Sequence, residues 1–289
     1  MMQVRTITQI QRSMRLKKIV KKTILALIIY IIALTYFFPI LYMFLSGFKT
    51  EQQAVKPALL FQPTLQTYQK VLSDPTMAQY LKNSIFQVVL GTGISLLLGI
   101  PAAFALVFGK LKKKDSAGNI YLWFITTILL PPVAVLIPLF ITYQKLNLKN
   151  NPLGLLIAYI GFNTPLAVWL IHSFFSDLPK DIFEAARIDG CTRWQQMVIM
   201  AIPLARTGII SAGLIIAVQI WNEFFLAFNL TGNPSATLPV YMSRFREQQG
   251  LFVAQLSASS TISILPALIL GWMSQKALVK GLTMGAVKE

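Results

Sequence analysis

Asp181-Ile182-Phe183-Glu184-Ala185-Ala186-Arg187-Ile188-Asp189-Gly190, followed by Cys191-Thr192-Arg193-Trp194-Gln195 and, after a spacer, Ile202-Pro203, is a polar interruption between two long apolar stretches. Its residue chemistry predicts two short helices with a break between them over residues 177–203. Asp181 with Glu184 fits a capping box, the Asp accepting from an N3 backbone N–H and the Glu reaching back. Gly190 suits the left-handed conformation that ends a helix without a Cβ penalty. Thr192 with Gln195 is a second capping box, opening a helix that carries Trp194, Met197, Val198 and Met200. Pro203 is expected to stop that helix. An amphipathic surface linker with ordinary caps accounts for these features as well as a docking element does. What favours docking is the pair Ala185-Ala186, small enough for close approach to a partner, beside Glu184, whose charge can set register against a partner arginine.

Working outward, the composition is that of a membrane protein. Hydrophobic residues make up 55% and charged ones 12% of 289 residues, where soluble domains carry about a quarter charged. Six apolar runs are long enough to cross a bilayer, at about 24–46, 84–108, 121–144, 153–175, 205–229 and 256–276. The expected fold is all-α, polytopic, with six transmembrane helices. Residues 1–23 form a basic N-terminal segment, and 24–289 a single membrane domain without internal repeats. The first run is too long for a signal h-region and lacks a small-x-small cleavage site, so it reads as an uncleaved first helix.

The net charge of +16 invites a nucleic-acid reading, but the placement of the charge argues for topology instead. With the N-terminus inside, 18 of the 26 Lys and Arg fall on inner segments, among them Lys110, Lys112, Lys113 and Lys114, and 8 on outer ones. Both termini are then cytoplasmic, and no nucleic acid is required. The N-terminal run can also bind anionic membrane lipid. The single Cys191 and single His172 exclude a disulfide framework, a multi-cysteine metal site and a His-based triad. The expectation is a protein that is not an enzyme and holds no cofactor or metal.

Glu184, Ala185, Ala186, Asp189 and Gly190, with the apolar-x-apolar-Pro close at Met200–Pro203, resemble the EAA loop of ABC importer permeases. The usual Ile and Leu near its end are Met200 and Ile202 here, which conserves apolar volume. The resemblance runs through most of the chain. Pro39-Ile40, Ser46-Gly47-Phe48-Lys49-Thr50, Asn83-Ser84, Leu130-Pro131-Pro132 and Ile137-Pro138-Leu139 are similar to carbohydrate permeases, as are Trp221-Asn222-Glu223-Phe224, Thr237-Leu238-Pro239-Val240 and the tail Lys280–Lys288. Together they resemble the smaller, six-span permease of maltose-type importers. This implies a bacterial inner-membrane subunit that works with a second permease in a heterodimer. Two ATPase subunits would bind the ATP and Mg, and an extracytoplasmic solute-binding protein would deliver a sugar or oligosaccharide. In that family the EAA loop docks into a cleft of the ATPase and moves with it.

Glu223 is the one acid well inside a span, and such a residue is a functional candidate by default. With Trp221 and Asn222 it could line the outer part of a solute pathway, where sugar hydroxyls need partners and rings stack on aromatics. A helix-packing or gate-stabilising role, with Glu223 bonded to a neighbouring span or partner permease, is the reading favoured over it. Pro101, Pro131, Pro132, Pro138, Pro165 and Pro266 are expected to interrupt spans two, three, four and six, lining a cavity or merely shaping packing. Two other classes stay open on the residues: an ABC permease for another polar solute, such as an oligouronide or glycerophosphodiester, and a stand-alone secondary transporter. A lipid-anchoring scaffold is a third.

Overall fold

Helices run as far as the apolar pattern carries them and break only where the chain supplies a reason. The computed structural model describes residues 2–109, 116–247 and 252–286. Every regular element among them is helical: α1 (Met2–Ser46), α2 (Glu51–Ala54), α3 (Gln66–Leu72), α4 (Pro75–Phe108), α5 (Ser116–Ile128), α6 (Pro132–Lys145), α7 (Pro152–Ser176), α8 (Lys180–Ile188), α9 (Arg193–Leu204), α10 (Arg206–Asn222), α11 (Phe225–Leu230), α12 (Leu238–Glu247) and α13 (Val253–Ala286). The basic residues Lys110, Lys112, Lys113 and Lys114, Gln249, and Lys288 of the tail lie outside the described residues.

Three of the described helices are long and apolar enough to cross a membrane: Val20–Ser46, Pro75–Phe108 and Pro152–Ser176. Two further candidates are bent pairs. Ala117–Ile128 meets Pro132–Lys145 at 88°, and Arg193–Leu204 meets Arg206–Asn222 at 79°. The third expected span, 121–144, is therefore broken. Pro131 and Pro132 each lack an N–H, and residues before proline avoid helical backbone; Pro131 itself takes an extended ψ of 133°. The fifth, 205–229, is also two helices, parting at Glu223 with ψ 119°. Counting each bent pair as one span gives up to five, and the apolar part of α13, Val253–Ile269, is shorter. Of the six prolines expected to interrupt spans, only Pro131 and Pro132 do so. Pro101, Pro138, Pro165 and Pro266 sit inside continuous helices.

The chain divides into two compact units, Met1–Gln69 with Phe252–Thr261 and Lys70–Leu251 with Ile262–Glu289. In the first, the apolar stretch of α1 is almost wholly exposed. Its end is secured by Lys49, which is 1% exposed. The Lys49 ammonium donates to Ala58 O at 2.7 Å and lies 4.7 Å from the Tyr42 ring centroid and 5.0 Å from that of Phe61, a cation–π setting. Thr50 and Gln53 form a capping box on α2. The Glu51 carboxylate accepts from the N–H groups of Ala254 and Gln255, satisfying the start of α13.

The second unit is built on α4, α7 and α10. Small residues let α4 and α7 approach closely: a Cβ built on Gly99 would meet Ala167 Cβ at 2.6 Å. Ala103, Phe104, Tyr159, Ala167, Ile171, Ile216 and Ile220 fill the shared core. Helix α5 packs on α7, with Tyr121 stacked on His172 at 4.0 Å. That contact accounts for the lone histidine as a packing residue.

Candidate functional site

Helices α8 and α9 form the arm that the sequence marks out. Helix α8 begins at Lys180, with Pro179 at its N-cap and no side-chain cap. The expected Asp181–Glu184 capping box is therefore absent. A capping Asp needs non-helical backbone, and the extended conformation of Pro179 starts the helix before Asp181 is reached. Asp181 instead sits in the first turn, where an acid complements the helix dipole. The other end is as expected. Gly190 has φ 87°, its N–H donates to Arg187 O, and the Cys191 N–H donates to Ala186 O at 2.9 Å, which together make a Schellman motif.

The second capping box is present: Gln195 N–H donates to Thr192 Oγ1, and Thr192 N–H to Gln195 Oε1 at 2.8 Å. Helix α9 then widens to π geometry over Gln196–Ala201, so that Ile202 N–H reaches back to Met197 O. A proline ring normally collides with the carbonyl four residues earlier, and this widened turn lies immediately before Pro203. The helix accordingly continues through Pro203 to Leu204 and turns at Ala205, one residue beyond the stop expected there.

The arm is anchored by residues that composition alone did not single out. Phe183 is 3% exposed and stacks on Phe108 at 4.1 Å, within an aromatic cluster that includes Phe104 and Phe175. Gln196, fully buried, donates to Phe183 O at 3.2 Å and accepts from Arg193 Nη1 at 3.2 Å. The two helices are thus joined by one amide that satisfies both. The readable signal for Phe183 was its aromatic bulk on the face of α8 opposite Ala185, three residues before the half-buried Ala186; nothing local marks Gln196. With the arm held this way, Glu184, Ala185, Asp189 and Gly190 are exposed and Ala186 is half-buried. Around them stand Ile188, Trp194 and Ile199 at 87%, 69% and 67% exposure. Exposed tryptophan is a residue type enriched at protein–protein interfaces.

The second candidate set, Trp221, Asn222 and Glu223, does not converge. Trp221 is buried, its Nε1–H donating to Ser263 O at 3.2 Å. Asn222 is exposed and donates back to Val218 O at 2.8 Å. The Glu223 carboxylate accepts from Leu226 N–H at 2.7 Å, Ala227 N–H at 3.1 Å and Tyr159 Oη at 2.7 Å. It caps α11 at the break in the span. Three donors on one carboxylate also remove the need for a cation there.

At the Asp74 end of α4 lies a polar cluster that the sequence did not reveal. Asn83 Nδ2 donates to Pro234 O at 2.7 Å and to Ala236 O at 2.8 Å, and Leu238 N–H donates to Ser84 Oγ. Tyr241 Oη donates to Asp74 Oδ2 at 2.7 Å, while Asp74 Oδ1 caps α4 at Thr76 N–H. Arg244 donates to Tyr80 Oη and lies over the Tyr80 ring. Partial burial pushes the Asp74 carboxyl up, but the hydrogen bonds from Tyr241 and Thr76 and the charge of Arg244 outweigh it and hold it below 3.8. Burial, with the Asp74 bond, pushes the Tyr241 phenol above 10.0.

With this geometry in view, the comparison with known families is direct. Residues 78–281 match the binding-protein-dependent transport system inner membrane component family. The chain belongs to that family. The permease is 33% identical over 255 residues to the sulfoquinovosyl glycerol transport system permease protein SmoH of Agrobacterium fabrum, covering 87% of this chain and 88% of SmoH. It is 31% identical over 277 residues to the trehalose/maltose transport system permease protein MalG of Thermococcus litoralis, covering 94% and 99%. Its fold matches a crystal structure of a bacterial ABC transporter that imports the acidic polysaccharide alginate, with TM-score 0.75, 24% identity and coverage of 89% and 96%. As a permease subunit of a binding-protein-dependent importer it is a transport component of the inner membrane. This removes the stand-alone transporter and the scaffold from the alternatives.

Proposed function

We propose that the permease imports a sugar or oligosaccharide and is driven through the arm Lys180–Leu204, which docks on an ATPase subunit. The observation that carries this reading is the arm itself: capped, locked by Gln196, and exposing Glu184, Ala185, Asp189 and Gly190. A rigid element with an exposed acid and small residues suits transmission of motion from a partner that closes on ATP. The carbohydrate assignment is supported by trehalose/maltose and sulfoquinovosyl glycerol relatives along nearly the whole chain. In this reading both termini and the arm are cytoplasmic, supported by the 18-to-8 division of basic residues. A second permease completes the pathway, two ATPases bind ATP and Mg, and an extracytoplasmic binding protein docks on the far side near residues 232–247. Glu223 supports the outer gate through the break it caps.

The SmoH relative favours one specific variant, an anionic sugar derivative as solute. Both are tested in the assembled importer by ATPase pull-down and uptake of labelled maltose, trehalose and sulfoquinovosyl glycerol. Glu184→Ala, on an exposed site, is expected to leave the permease in the membrane while weakening ATPase capture or uncoupling hydrolysis from uptake. Wild-type capture and uptake by this variant would remove the docking assignment. Uptake of none of the three solutes would remove the carbohydrate assignment and leave the docking intact.

A further inference from the structure

A hollow of about 190 Å³ lies where α8 meets the Phe108 end of α4. Its rim carries Lys180, Arg187 and Arg193, with Glu184 the one acid among the described residues, and its apolar side includes Phe108 and Phe183. Three cations against one carboxylate leave the hollow with a formal charge of +2. Lys180, Glu184 and Arg187 are spaced along one face of α8, so the charges are held by a single short helix. Arg193 commits one bond to Gln196 Oε1, which leaves donors of its five-donor fork for a ligand. The Phe108–Phe183 stack at 4.1 Å fixes the apolar side.

We infer that this hollow binds a phosphate group, carried by an anionic membrane lipid. Its volume of about 190 Å³ is several times what a single water needs, about 10–15 Å³ on the same measure, and leaves room for a phosphate group. Phe108 is the last residue of a helix of membrane-crossing length, and in this proposal that end of the helix lies at the headgroups. Basic pockets at the ends of membrane helices recruit anionic headgroups. The apolar side favours a lipid over fully hydrated inorganic phosphate, which gains nothing from aromatic carbon. A bound headgroup touches the base of the docking arm, so the lipid would bias the arm's position. The inference rests on the proposed cytoplasmic placement of the arm and shares Glu184 with the proposed docking face, so lipid retention and ATPase capture are read separately.

The test is native mass spectrometry of the full-length permease in detergent with phosphatidylglycerol, phosphatidylcholine or inorganic phosphate added. The expected result is preferential retention of phosphatidylglycerol. The double variant Lys180→Gln/Arg187→Gln should lower that retention roughly fivefold per charge removed, while a charge-matched control, Lys56→Gln/Lys70→Gln, should not. Glu184→Gln removes the competing carboxylate and should raise retention, which keeps the test open if the double variant fails to fold. Equal retention of the two lipids, or no change in either hollow variant, overturns the inference. Displacement of phosphatidylglycerol by millimolar inorganic phosphate assigns the hollow to a soluble anion and overturns the lipid source. ATPase capture, measured separately, distinguishes failure here from failure of the docking assignment.

Discussion

The two ends of α4 hold their neighbours by opposite means. At the Phe108 end, aromatic rings grip α8 through Phe183 and leave its charged groups exposed. At the Asp74 end, Asn83, Ser84, Tyr80 and Asp74 engage the 232–247 segment through hydrogen bonds to backbone and side chains. Apolar stacking fixes position without consuming polar groups, so the arm keeps Glu184 available for a partner. Hydrogen bonds to buried carbonyls fix orientation, and each becomes costly when one side is removed. The Phe108 end thus leaves its polar groups exposed, and the Asp74 end spends them on holding a loop of its own chain.

Four measurements sharpen this contrast, beginning with the largest effect. Phe183→Ala empties the aromatic cluster and is expected to cost about 3 kcal/mol or more, seen as a lowered melting temperature of the purified permease and loss of ATPase capture. If stability is unchanged, the rings do not anchor the arm. Asn83→Ala strands the buried carbonyl of Ala236 and should cost about 2 kcal/mol. Faster proteolysis within 232–247, with ATPase capture retained, is the distinguishing result; loss of capture would mean that the two ends are not separable.

Gly190→Val places a β-branched residue at φ 87°. The added Cβ meets nothing within 4 Å, so the cost is backbone strain alone, about 1–2 kcal/mol. Uptake should fall further than in Glu184→Ala because the whole of α9 is redirected; uptake at the wild-type rate would show that the turn tolerates another conformation. The smallest effect concerns pH. The Asp74 carboxyl is held below its ordinary value, so its contribution is complete above the unfolded pKa near 3.8 and is lost as pH falls through the folded value. Tyr241 is raised, so its contribution is complete below 10.0 and is lost as pH rises through the folded value. Proteolysis within 232–247 should therefore stay flat between these limits and accelerate on the acid side, and Asp74→Asn should abolish the acid acceleration. A slope at neutral pH would point to another group.

Much of the arm was legible because its signals are local. A glycine at a helix end and a Thr-x-x-Gln capping box depend on bonds within a few residues, and both appear where the spacing put them. The Asp181–Glu184 box had the same local signature and failed, because Pro179 set the helix start first. Apolar length likewise determined that the chain is helical and membrane-spanning, since an unpaired backbone in hydrocarbon is too costly for any open alternative. It did not determine where those helices bend. Pro101, Pro138, Pro165 and Pro266 stay within helices while Pro131-Pro132 breaks one, and one carboxylate breaks another at Glu223.

Only the tertiary structure supplied the surroundings of Trp221 and Glu223, because each has a partner far away in sequence. Tyr159 lies 64 residues from Glu223 and Ser263 42 residues from Trp221. The same holds for Gln196 and for the cluster at Asp74, whose Tyr241 partner is 167 residues distant. A periodic pattern reports which face of a helix is apolar, but not which buried hydrogen bond waits on the neighbouring element. The amino-acid sequence thus determined the class of protein and the existence of the arm; the packing of α4 against its neighbours decided which polar groups are spent inside the chain and which remain for a partner.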